Sequence, residues 1–184
     1  MAVSDDYQDT LERLAALTAA QVQGETDTAV IVALLNRARA SAVATADVYT
    51  ARQLEVLTDR VVTPAGVLPT DESERLTEAL ETIGDTDVAM RLERLARSEV
   101  FAAAQSTVSE SLSKMPDRPR QFVGWVRQLE AGHCDRCERW AKNGRVWPKN
   151  HKMATHPNCN CVQCIVISDT KPLPVRSKRR GRRK

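Results

Sequence analysis

Along the first two-thirds of the chain, apolar residues recur every three to four positions. Tyr7, Leu11, Leu14 and Leu17 form one such stripe, with Ser4 or Asp5 ahead of it as a capping side chain and Gly24 behind it, which predicts a helix ending near Gln23. A second stripe runs through Val30, Leu34, Ala38, Ala42, Val48, Ala51, Leu54 and Leu57 and predicts a long helix from about Thr26 to Arg60. The small residues Ala38, Ala40, Ala42, Ala44 and Ala46 on it mark a face that another helix can approach closely. Pro64, Gly66 and Pro69 make 61–69 a turn or linker. Thr70 or Asp71 then opens a third helix that ends at Gly84, with Asp71 and Glu74 spaced as a variant capping box. Thr86 caps a fourth, to about Met115, where Pro116 and Pro119 stop it.

Beyond Pro119 the period changes. Phe122 to Leu129 reads as a short strand, Cys137 to Lys142 as a helical turn that stops at Asn143-Gly144, and Arg145-Val146-Trp147 and Cys161 to Ile167 as two further strands. The expected fold is mainly α with a small C-terminal β-rich module, α+β overall. Its parts are an extended helical region over 1–115, a small zinc-binding module over 116–168 and a basic tail over 169–184.

Aromatic residues make up only 4% of the chain, which fits the helical reading. No apolar run approaches the length needed to cross a bilayer, so a soluble chain made in the cytoplasm, with no membrane partner, is expected. The net charge of +3 conceals a strong asymmetry. Lys171 to Lys184 carries eight basic residues and no acid, leaving a formal charge of −5 on the first 170 residues. Such an arm, rich in Pro and Gly and poor in apolar residues, has no means of packing. Arg176, Lys178, Arg179, Arg180, Arg182, Arg183 and Lys184 are the candidates for neutralising nucleic-acid phosphates without reading sequence.

The chemistry is concentrated elsewhere. All five cysteines and all three histidines fall between His133 and Cys164. Cys134-x2-Cys137 faces His156-x2-Cys159-x-Cys161 across a spacer, the pattern of two knuckles that converge on one tetrahedral ion with no open coordination position. An odd cysteine count and the lack of a hydrophobic signal segment favour structural zinc over disulfides. Cys134, Cys137 and His156 are the first three ligands, and the fourth is Cys159 or Cys161. A four-cysteine ribbon from Cys134, Cys137, Cys161 and Cys164 is the alternative, and it leaves His156 without a role. His133 and His151 are expected to face solvent or to support the ligands. A module this small has little core, so the metal would supply much of its folding free energy.

The order Trp125-Val126-Arg127, Cys134-x2-Cys137, Gly144-x-Val146-x-Pro148 and His156-Pro157-Asn158-Cys159-x-Cys161 resembles the C-terminal module of the phage MuF-like minor head proteins. Ala96-Arg97-Ser98-Glu99-Val100 is similar to that family's Ala-Arg-Thr-Glu-Thr helix, so the resemblance spans about Leu95 to Ile167. Asn160 stands where the family has Arg, Ser98 and Val100 stand where it has Thr, and Cys164 is additional. The resemblance implies a structural minor capsid protein of a tailed phage, located in the virion near the portal inside the head. Its implied partners are portal and capsid proteins and, through the basic tail, packaged double-stranded DNA held without sequence preference. It also implies a part in head morphogenesis and no enzymatic activity.

Two other classes compete. A zinc-ribbon regulatory protein that binds nucleic acid would use the module and the tail but not the long helices. An HNH-type nuclease would need a histidine with an acidic or Asn partner, for which Asn150-His151 is the sole candidate.

Overall fold

The computed structural model describes residues 3–84, 86–116 and 121–172. In chain order they form α1 (Val3–Gln23), α2 (Thr28–Thr58), α3 (Ser73–Glu81), α4 (Val88–Lys114), β1 (Phe122–Gln128), α5 (Asp135–Ala141), β2 (Trp147–Pro148) and β3 (Val162–Ser168). The fold is α+β, as the change of period at Pro119 predicts. The Lys171–Lys184 tail lies almost wholly outside the described residues, including each of its candidate phosphate ligands.

Helix boundaries follow local chemistry. Asp27 starts α2 by accepting a hydrogen bond from the N–H of Ala29 at 2.8 Å. Asp71 accepts from the N–H of Ser73 at 2.9 Å and from the Asn36 amide of α2 at 3.0 Å, so α3 starts later than expected. The segment ahead of it is spent on docking to α2. At α4 the cap position falls to Asp87, with a left-handed φ of 55°, rather than to Thr86.

Helices α1, α2 and α4 pack pairwise, and α3 lies on α2. The alanine stripe of α2 works as anticipated at Ala38, Ala42 and Ala46, which are buried, whereas Ala44 faces solvent. On α1 the buried stripe is Tyr7, Leu11, Ala15, Ala19 and Val22, and Leu17 points outward. By length and composition α2 does meet the requirement for spanning a bilayer, contrary to the sequence expectation. The buried part of its apolar surface, Ile31, Val32, Leu35, Ala38, Ala42, Val43 and Ala46, is core, and the core helix of a water-exposed fold has that composition as readily.

The sheet has the order β2-β1-β3 with both pairings antiparallel. Gly124 of β1 is required by β2: a Cβ there would lie 2.5 Å from the carbonyl oxygen of Trp147. One continuous core joins Leu11, Ala42, Tyr49, Phe101 and Val108 of the helices to Trp125, Trp147, Cys161 and Ile165 of the C-terminal part. A second cluster, around Leu35, Leu76 and Leu92, holds the opposite end of the helices together.

Two charged groups are buried among the helices. Glu99 of α4 binds Arg39 of α2 and Arg75 of α3, each at 2.6 Å, and so ties three helices together. Asp47 of α2 accepts from the N–H groups of Ala65, Gly66 and Val67 at 3.0, 2.8 and 3.3 Å and from the Ser111 hydroxyl at 2.6 Å. It thereby clamps the 61–69 turn and α4 to α2. Burial alone would raise its carboxyl, but these four donors outweigh that and hold it below the usual range.

Replacing Asp47 by Asn is therefore expected to cost about 1.5–3 kcal/mol near neutral pH, the range for hydrogen bonds to a charged group. A carboxyl depressed in the folded state stabilises above its unfolded value and loses that contribution as pH falls through the folded one. The gap between parent and Asp47→Asn in denaturant unfolding should accordingly narrow in acid.

Candidate metal centre

The two knuckles are built by different local devices. Cys134 sits at the N-cap position of α5, and its carbonyl accepts from the N–H of Glu138 at 3.1 Å. Cys137 follows within the first turn of that helix, so both thiols project from one helix end. The second knuckle is a β-turn closed by the N–H of Cys159 on the carbonyl of His156 at 3.1 Å. Pro157 presets the second position of that turn, and Asn158 takes the third with φ of 61°, a conformation that Asn tolerates better than most residues. The sequence His-Pro-Asn-Cys is thus a turn that aims its first and last side chains the same way.

All five predicted donors come together. Nε2 of His156 lies 3.3 Å from Sγ of Cys134 and 3.0 Å from Sγ of Cys137, and the thiols of Cys137 and Cys159 are 3.6 Å apart. Donor atoms around one tetrahedral ion with bonds of about 2.0–2.3 Å stand about 3.3–3.8 Å apart, so these separations match the edges of such a polyhedron. The donors form two groups, Cys134-Cys137-His156 and Cys137-Cys159-Cys161, and within each group all donor atoms are within 4.8 Å of one another. Cys137 belongs to both. The cluster could hold a metal ion.

The surroundings suit thiolate coordination. The carbonyl of Pro157 lies 2.8 Å from Nδ1 of His156, which fixes the proton on that nitrogen and leaves the Nε2 lone pair facing the sulfurs. Arg127 of β1 is 5% exposed, and its Nη1 donates to Sγ of Cys159 at 3.6 Å while Nη2 donates to the carbonyl of Ala154. Three thiolates and a neutral imidazole around a divalent cation carry one net negative charge, and the guanidinium offsets it. The Cys159 thiol is held down to about 5, first by the Cys161 thiol and then by the Cys161 backbone, the Cys137 thiol and Arg127, against the effect of burial. Burial, followed by the neighbouring Cys159, pushes Cys137 up to about 12. Cys159 is thus a thiolate near neutral pH without a metal, and a bound cation would displace the proton that Cys137 retains.

The four-cysteine ribbon is not formed. Cys164 lies outside both donor groups, and its Sγ receives a hydrogen bond from the Gln53 amide of α2 at 3.9 Å, because β3 turns it away from the knuckles. His133 is exposed, with Nδ1 3.0 Å from the Glu130 carbonyl. His151 stacks on Trp147 with ring centroids 4.3 Å apart. Neither is among the donors.

Two supporting residues escaped sequence reasoning. Arg127 had two signals: it belongs to the Trp125-Val126-Arg127 run of the resemblance, and it falls two positions after Trp125, on the inward face of β1. Ser98 of α4 accepts from the N–H of Asn158 at 3.3 Å, joining the Ala96–Val100 stretch directly to the His-Pro-Asn-Cys turn.

A family model described as VG15 protein matches residues 1–176. No curated protein and no solved structure matches the chain.

Because Cys137 is shared by both donor groups, Cys137→Ser is expected to abolish tight binding of a thiolate-seeking ion. Cys164→Ser should leave it unchanged. Elemental analysis of bound metal per chain, after reductive purification and dialysis, checks both outcomes.

Proposed function

This chain belongs to the VG15 protein family, a phage-type family, and from that premise we propose that it is a structural minor capsid protein of a tailed phage, acting in head morphogenesis near the portal. The observation that carries the reading is the junction of the two resembling stretches. The His-Pro-Asn-Cys turn and the Ala96–Val100 stretch, far apart in sequence, meet through Ser98 and Asn158. That is the arrangement expected if both belong to one MuF-like unit.

In this reading the ion is zinc and its role is structural. Cys134, Cys137, His156 and Cys159 are its ligands, because Cys159 is the thiol that Arg127 supports and that stands 3.6 Å from Cys137. Cys161 then serves as a buried neighbour. Asn150-His151 has a packing role in this reading: the His151 ring stacks on Trp147, and its carbonyl accepts from the indole N–H of Trp125 at 3.0 Å. The helices supply the surface for portal and capsid proteins. The tail from Arg176 to Lys184 supplies a non-specific contact to packaged DNA by counterion release. A zinc-ribbon regulator remains the second reading, favoured by the basic tail alone.

The test is the composition of the particle. The chain is expected to co-purify with portal-containing particles at a few copies each, measured by quantitative mass spectrometry against the portal protein. Its absence from both mature virions and assembly intermediates would leave the regulator. For the ligand assignment, Cys159→Ser is expected to lose zinc and Cys161→Ser to keep it. The reverse outcome assigns Cys161.

A further inference from the structure

Charge is sorted along this fold as well as along the sequence. Residues 1–116 carry ten basic and nineteen acidic residues, whereas residues 135–152 carry six basic residues and two acids, Asp135 and Glu138. That stretch is α5, the turn after it, β2 and the four residues that follow.

Two of these cations are held in place by an aromatic ring. Nζ of Lys142 lies 5.5 Å and Cζ of Arg145 4.8 Å from the centroid of Trp147, and the imidazole of His151 stacks on the same indole. Lys142 ends α5 in a left-handed conformation with φ of 47°, followed by Asn143 and Gly144 with φ of 55° and 75°, so the turn places both long side chains beside one ring. After burial, Arg145 and Lys142 are the causes that hold His151 below its ordinary value, which shows both charges acting at one spot. The exposed residues of α5 itself are mixed in sign, Arg136 and Arg139 beside Asp135 and Glu138, so the part whose charges are all positive is the turn.

We infer that the α5–β2 turn, through Lys142 and Arg145 over Trp147, is a second contact for the phosphodiester backbone of double-stranded DNA, built into the metal module and separate from the tail. Cations already ordered on a ring lose less side-chain freedom on meeting a phosphate than cations without such a support. The module thereby fixes how the protein sits on DNA. The inference rests on the reading that this chain meets DNA, and it adds where the folded part does so.

The experiment is the salt dependence of duplex DNA binding by the full chain. Each phosphate contact contributes about 0.9 to the slope of log affinity against log salt, so replacing Lys142 and Arg145 together by Gln should reduce the slope by about 1.8. Lys142→Gln alone should reduce it by about 0.9. The charge-preserving pair Lys142→Arg and Arg145→Lys should restore the parent slope, and unchanged metal content shows that each variant is folded. Because Arg145 packs on Trp147, the single Lys142 variant carries the test if the double variant loses its metal.

An unchanged slope overturns the inference and leaves the tail as the whole DNA contact. An unchanged slope with loss of self-association in sedimentation also overturns it, assigning the basic turn to the acidic helices of a second copy. No DNA binding by the parent chain overturns both this inference and the DNA contact proposed above.

Discussion

Among the described residues the outer edge of β3 has no strand beside it, and the fold depends on how that edge is satisfied. Ile165 donates its N–H to the Gln53 side chain at 3.3 Å, Tyr49 donates to the carbonyl of Gln163 at 2.9 Å, and Gln105 donates to the carbonyl of Cys161 at 2.7 Å. Gln163 returns a bond to the carbonyl of Gln105 at 3.0 Å. Side chains of α2 and α4 thus stand in for a missing strand. An unpaired edge is otherwise an invitation to associate with another chain, and buried amides without partners are costly. The same bonds set the height of Cys161 and, through it, the position of the second knuckle.

The cysteine-histidine module and the helices are therefore one mechanical unit. The donor cluster is formed by short segments with little core of their own, yet it is tied to α4 from three directions: Ser98 under the His156–Cys159 turn, Phe101 in the shared core, and Gln105 on the carbonyl of Cys161. The buried charges follow the same logic. Glu99, Asp47 and Arg127 each sit where a lone charge would be prohibitively costly, and each is surrounded by donors or acceptors from a different element. Every one of them is a cross-link between segments distant in sequence. Cross-links of this kind resist local opening, since separating one of them exposes an unpaired charge.

Much of this was legible in the chain. Helix periods, the switch at Pro119, the three strands, and the five donors Cys134, Cys137, His156, Cys159 and Cys161 are local patterns, and local patterns survive into the structure because each rests on chemistry within a few residues. Asp71, Thr86 and Leu17 show where that logic stops. Asp71 had a tertiary partner in Asn36, the cap position of α4 fell to Asp87, and Leu17 obeyed the helical period yet lay on the wrong side of the stripe.

What the sequence by itself determined was the set of candidate donors and the devices that aim them: a helix start for one knuckle and a Pro-Asn turn for the other. What only the tertiary structure decided was the charge and hydrogen-bond environment around them. Arg127 looks like any polar residue of a strand until the sheet folds it against Cys159, and Cys164 looks like a ligand until β3 turns it toward Gln53. The reason is physical. Spacing fixes where side chains sit relative to their own segment, whereas the cost of a buried charge or thiol depends on which other segment arrives to meet it.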